Sequence, residues 1–348
     1  MPLVADFFAD ADTKLTAQAC HKLGNLKRGF QWQTLASALE ALTEAAPSPP
    51  LGLVYGAGFE DRPNVLAKIA KRWPIIGNDS SVVERVKAPE TFFAELARLG
   101  ISHPNTVTEP SRAKPGWLAK HRGGAGGSHI VTRMPRKSGI ADDSVYFQEK
   151  VDGRPVSALF AAADNHACVL GFSEQWAAPI RQAKWRYGGA VRPAALSPDL
   201  EAQLTEVVER AAPCFALKGL CSADFLVKRE GAQLLEINPR PGATLDIFDS
   251  EAEPLLRLHL QAVLDNRLPT APLTLPAATA AAIVYATEPV TVSNTMTWPE
   301  WTADRPLSGE RIDKHRPICT VLARAETRRG ARQLVMDRIA NILAACTG

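Results

Sequence analysis

The sequence predicts an α/β protein that also carries α+β elements, on three observations. Residues 51–55 form a short apolar run, followed by Gly56-Ala57-Gly58, a helical stretch over 63–72 and a second strand at Ile75-Ile76, a βαβ-like unit. A glycine-rich loop, Gly123-Gly124-Ala125-Gly126-Gly127-Ser128, has a strand on both sides. Residues 219–238 read as two apolar runs joined by Arg229-Glu230-Gly231, a β-hairpin with a bulged turn.

The chain has 348 residues, enough for two or three packed units around a sizeable core. Its 46% hydrophobic and 22% charged content is that of a globular protein. A net charge of +3 is too mild to argue for nucleic acid or a membrane surface, and it suits a small polyanionic ligand. Six cysteines lie scattered without CxxC spacing, which signals neither a zinc site nor a disulfide framework. No apolar run reaches transmembrane length, and the first residues lack a basic segment before an apolar one. A cytoplasmic protein is expected.

In chain order, residues 31–46 are an alanine-rich helical segment that stops at Pro47-Ser48-Pro49-Pro50. The Gly56/Gly58 turn admits an anion or a substrate carboxylate, or is a plain tight turn. Asn78-Asp79-Ser80-Ser81 is a cluster of helix caps, and a helix from Val86-Lys87-Ala88-Pro89 runs to about Leu99. A strand over 117–120 ends on Lys120 and enters the glycine loop, whose backbone can close tightly over phosphates. The GK[ST] of a P-loop is missing, and a strand over 129–133 follows where a dinucleotide fingerprint needs a helix.

Residues 145–151 form another strand, and 155–163 and 167–172 two more, expected to close the sheet of the glycine loop. The aromatic and basic segment 173–193 reads as a long linker, either a substrate or phosphate-side loop or surface packing. A helix over 197–216, with apolar residues at Leu200, Leu204, Val207, Val208 and Ala211, leads into the hairpin. Beyond it come a helix (251–266), a Pro/Ala-rich connector, two strands and a final helix. Asp313, His315 and Arg316 have no fixed mutual geometry there.

With a turn at Arg229-Glu230-Gly231, Lys228 faces Ala232 and Asp224 falls opposite Glu236. Glu236 and Asn238, two apart, share a face. Two carboxylates and an amide oxygen there are either a solvated face or, because they sit inside apolar strands where burying charge without a partner is expensive, a seat for Mg²⁺, which shares its shell with water and nucleotide oxygens. Asn238-Pro239-Arg240-Pro241-Gly242 then forms a rigid corner that aims Arg240 over the carboxylates.

Glu236-Ile237-Asn238-Pro239-Arg240-Pro241, with Asp224 upstream, resembles the metal-binding core of the ATP-grasp superfamily, over roughly 51–242. The resemblance implies an ATP-grasp fold: an N-terminal α/β domain (1–110), a lid (111–172), a core with the metal site (173–267) and a small β-rich appendage (268–348) similar to the last domain of biotin carboxylase. It implies ATP with two Mg²⁺, or Mn²⁺, on Asp224, Glu236 and Asn238. Lys87 and Lys120 would contact phosphates under Gly123, Gly124, Gly126, Gly127 and Ser128. Gln148, Glu149, Lys150 and Val151 would border the adenine, and Arg240 and Lys120 would serve catalysis. Two positions depart from the pattern: Val156 stands where many relatives hold ribose with an acid, and Ser222 where they carry a base.

The implied reaction is amide formation between a small carboxylate and an amine through an acyl-phosphate. Bicarbonate-using carboxylation and a non-catalytic nucleotide-binding role are the alternatives. The sequence is most similar to the carboligase branch related to biotin carboxylase and to tyramine–glutamate ligases of methanofuran biosynthesis. That implies one-carbon cofactor formation (methylofuran or tetrahydromethanopterin), without nucleic-acid or membrane partners and with a homodimer left open.

Overall fold

The computed structural model describes residues 2–132 and 144–347. Arg133, the end of the strand expected over 129–133, lies outside them. An antiparallel sheet of eight strands forms the backbone of the molecule. From one edge it runs Gly231–Asn238, Gly219–Lys228, Arg154–Ala163, His166–Ala177, Tyr187–Arg192, Ala278–Tyr285, Pro317–Ala325 and Thr302–Ala303. A smaller sheet carries the glycine loop, in the order Thr106–Val107, Val145–Gln148, Leu118–His121, Ile130–Val131.

The strands over 155–172 therefore belong to the large sheet, not to that of the glycine loop. Arg154–Ala163 has apolar residues on both faces. Val156, Ala158 and Phe160 pack in the cluster that includes Leu204 and Val208 of helix Pro198–Cys214, and Leu159 and Ala161 pack with Ile247 and Phe248. A strand buried on both faces needs a layer on each side, which a central position supplies. The supposed linker 173–193 is mostly strand for the same reason: it completes His166–Ala177 and Tyr187–Arg192. Only the tip over 178–186 and Pro193 lie outside them. Strands Ala278–Tyr285 and Pro317–Ala325 continue the sheet, and helix Arg328–Thr347 covers them through Ala331, Val335 and Ile342.

The N-terminal unit pairs Leu3–Asp6 in parallel with Ala19–Lys22, and Leu53 bridges Ile75 in parallel. Helices Trp32–Glu44 and Pro63–Ala70 bury Leu35, Leu39, Leu66 and Ile69 against Tyr55 and Phe59. The helix expected from Val86 is broken into Ser80–Lys87 and Pro89–Arg98. Pro89 holds Ala88 extended (φ −82°, ψ 108°), so Lys87 ends one helix rather than beginning the next.

Candidate active site

The hairpin brings Asp224 opposite Glu236, as the sequence predicts, but by a different route. Lys228 pairs with Gly231, so the turn holds only Arg229 and Glu230, one residue fewer than expected. A bulge at Leu235, between the pairs Phe225–Leu234 and Asp224–Glu236, restores the register. Ala223, Phe225, Leu234 and Ile237 go to the core, which leaves Asp224 and Glu236 on the opposite, cleft face.

The three predicted metal ligands meet there. Asn238 Nδ2 donates to Asp224 Oδ2 at 3.1 Å, and Ser157 Oγ donates to Asp224 Oδ1 at 2.6 Å. Lys87 Nζ donates to Glu236 Oε2 at 3.0 Å and to Asn238 Oδ1 at 2.9 Å. The Lys87 side chain is 7% exposed and that of Glu236 36%, so the seat opens toward the cleft through Glu236. Burial and the neighbouring Glu236 charge push the Asp224 carboxyl up. Glu236 is held down: burial opposes this, but Lys87, then His129 and Lys120, favour its charge.

A divalent cation fits this donor set. Two carboxylates and an amide oxygen converge on one face, and the chain already stations an ammonium ion against two of them. Among the described residues no group of three His, Cys, Asp or Glu forms a metal site by itself. A cation held here would therefore need Asn238 and oxygens from outside the protein, a donor set that suits Mg²⁺ better than Zn²⁺.

Lys120 is buried, and its Nζ donates to Gln148 Oε1 at 2.6 Å; burial pulls the ammonium down. Gln148 is 1% exposed and its Nε2 donates to Thr106 Oγ1 at 3.1 Å. Its side chain thus bridges Lys120 and Thr106, one bond at each end of the amide. Glu149 accepts from Asn105 Nδ2 at 2.7 Å, and its N–H donates to Asn105 O at 2.8 Å. Lys150 lies 3.8 Å from Asp152 on the surface, and Val151 follows it past the strand end. Val156, which departs from the expected pattern, is 1% exposed and packs in the core. Ser222 is buried opposite Asn238.

The glycine loop is closed onto its neighbours. Tyr187 N donates to Gly126 O at 3.0 Å. A Cβ on Gly127 (φ +72°) would stand 1.9 Å from Trp185 O, and one on Gly123 (φ +65°) 2.3 Å from the Glu60 backbone. The loop is seated between the N-terminal unit and the 178–186 tip, at distances only glycine permits. Arg122, just before it, pairs with Glu90 in the first turn of Pro89–Arg98.

Arg240 does not point freely over the carboxylates: its Nε donates to Glu60 Oε1 at 2.7 Å, with side chains 9% and 1% exposed. Glu60 Oε2 accepts from Gly58 N at 2.6 Å and Phe59 N at 3.1 Å. The Gly56/Gly58 turn does bind a carboxylate, but it is the protein's own. Sequence reasoning missed Glu60. Its signal was an acid directly after an apolar strand and glycine turn.

Residues 90–244 match the family model described as ATP-grasp domain. A search of curated proteins returns no match. The biotin carboxylase of Campylobacter jejuni superposes with a TM-score of 0.73 at 15% identity, over 96% of this chain and 84% of that one. The L-amino acid ligase of Bacillus licheniformis gives 0.69 at 12%, over 93% and 86%. The N5-carboxyaminoimidazole synthetase of Staphylococcus aureus, complexed with ADP, gives 0.69 at 15%, over 97% and 90%. At such identities the likeness is one of fold, and the fold is that of the ATP-grasp proteins.

Proposed function

We propose, from the ATP-grasp fold as premise, that this chain is an ATP-dependent carboxylate–amine ligase. The supporting observation is the antiparallel pair bearing Asp224, Glu236 and Asn238, with Lys87 against it. Mg²⁺ held by those three residues (two ions in the resemblance, Mn²⁺ as substitute) would neutralise phosphate oxygens of ATP.

The chain's own groups do the rest. Lys87 can exchange its carboxylate partner for a phosphate, and Lys120, aimed by Gln148, adds a second cation beside the nucleotide. The closed glycine loop excludes water that would hydrolyse an activated acid. Arg240, oriented by Glu60, holds the substrate carboxylate through its remaining N–H groups. That carboxylate attacks the γ-phosphorus, the bond to the bridging oxygen breaks, and ADP leaves. The amine nitrogen then attacks the acyl carbon, the C–O bond to phosphate breaks, and the nitrogen releases a proton.

The L-amino acid ligase supports this reading by its name, whereas the two carboxylation-named relatives favour bicarbonate as the acid. ADP release across acids and amines, glutamate included because of the one-carbon cofactor resemblance, distinguishes them. Amine-dependent turnover is expected. Bicarbonate-dependent turnover transfers the case to the carboxylase, and ATP binding without any turnover ends both.

A further inference from the structure

Between the glycine loop and Glu236 lies a cavity of about 30 Å³, with room for a water molecule or one phosphate oxygen. Lys87 and Glu236 border it on one side, and Gly124 and His129, at the loop's exit, on the other. Phe92 and Tyr146 also line it. The His129 ring lies against Gly124, where a Cβ would stand 2.2 Å from its Cγ. Loop and cavity therefore meet without an intervening side chain.

The strand pairing explains why Tyr146 reaches this place. Tyr146 pairs with Lys120 across the antiparallel strands Val145–Gln148 and Leu118–His121. Gln148, two residues on, shares its face and takes Lys120 Nζ. Val145 and Phe147, on the other face, belong to the small sheet's own apolar cluster. Tyr146 instead packs against the cluster of Phe92 and Leu234, and so leaves the small sheet toward Lys87 and Glu236.

The polar groups here are not equally free. Lys87 is held by Glu236 and Asn238, and Lys120 by Gln148. Among the described residues the Tyr146 hydroxyl has no hydrogen-bond partner. A phenol keeps its proton at neutral pH, and burial, then the Glu236 charge, push this one further up. It is an uncommitted donor in a recess with an apolar wall, beside two lysines. An anionic oxygen is the partner that such a donor suits.

We propose that Tyr146 is a further nucleotide-binding residue, whose hydroxyl donates to a phosphate oxygen of ATP beside Lys87 and Lys120. This contact rests on the reading above, that a nucleotide occupies the cleft. It adds a neutral donor to the two cations already assigned to the phosphates.

Equilibrium binding of ADP with Mg²⁺, and of adenosine, to the full chain tests it in the wild type and in Tyr146→Phe. A hydrogen bond to a charged oxygen is worth about tenfold in affinity, so Tyr146→Phe should weaken ADP by about that factor. Adenosine, which lacks the phosphates, should bind both proteins equally. The phenylalanine ring keeps the packing, so the melting temperature of the ligand-free protein should not move. Equal ADP affinity in the two proteins overturns the proposal. An equal loss for ADP and adenosine does so as well, because the hydroxyl then serves the base, the sugar or the fold. Absence of ADP binding by the wild type removes the nucleotide reading and this contact together, whereas ADP binding that ignores the substitution removes the contact alone.

Discussion

Arg240 and Glu60, 180 residues apart in the chain, form an ion pair at 2.7 Å that is almost closed to solvent. It joins the corner after the strand that carries Glu236 and Asn238 to the N-terminal unit, and the glycine loop lies against the same Glu60 backbone. Removing one member of such a pair leaves a buried charge uncompensated. Glu60→Ala should therefore cost about 3–5 kcal/mol in urea unfolding. Glu60→Gln combined with Arg240→Gln should cost less than the sum of the single changes. Additive losses would mean that the pair is not coupled.

The same pair sets a pH dependence. Burial raises the Glu60 carboxyl, but Arg240, Lys87 and the Gly58 N–H outweigh this and leave it below its ordinary value. A depressed carboxylate stabilises above its unfolded pKa of about 4.5, and the contribution is lost as pH falls through the folded value. Unfolding curves between pH 6 and 3 should be steeper for the wild type than for Glu60→Gln.

Asp224 runs the other way, because burial and Glu236 raise it. A raised carboxyl stabilises only below its unfolded pKa, and the contribution is lost as pH rises through the folded value. At neutral pH the ionised group is a liability of the ligand-free protein. Asp224→Asn should raise its melting temperature by roughly 2 °C while ending Mg²⁺-dependent ADP binding. A lowered melting temperature, or retained Mg²⁺ dependence, contradicts the metal assignment.

Lys87 occupies two of the three oxygens that a cation would take. Lys87→Met should therefore raise the affinity for Mn²⁺ without nucleotide on the order of tenfold, read by electron paramagnetic resonance. The same change should weaken nucleotide binding. If Mn²⁺ affinity does not move, Lys87 and the metal do not share the seat.

Gly127 approaches Trp185 O more closely than any side chain allows. Gly127→Ala should lower the melting temperature, because its Cβ meets Trp185 O and a φ of +72° strains alanine, and it should lower turnover at least tenfold and expose the loop to limited proteolysis. Unchanged turnover would mean that the closed loop has no part in the chemistry.

The carboxylate pair was legible because strand faces alternate residue by residue, a rule contained in the local chain. The prediction that Asp224 meets Glu236 survived a shorter turn only because the Leu235 bulge offset it, and neither feature has a mark in the sequence. Glycine spacing likewise disclosed the loop, while the surfaces it closes on, Glu60 and Trp185, were beyond reach.

By itself, then, the sequence determined the strands that flank the glycine loop and the oxygen-bearing hairpin with its alternating faces, since each depends on neighbours along the chain, whereas it did not disclose the strand Tyr187–Arg192. Only the tertiary structure decided that Lys87 sits against Glu236 and Asn238, that Gln148 serves Lys120, and that Glu60 holds Arg240. Each joins segments separated by 28 to 180 residues. Which distant polar groups meet depends on how the apolar faces stack, and burial then obliges them to find partners.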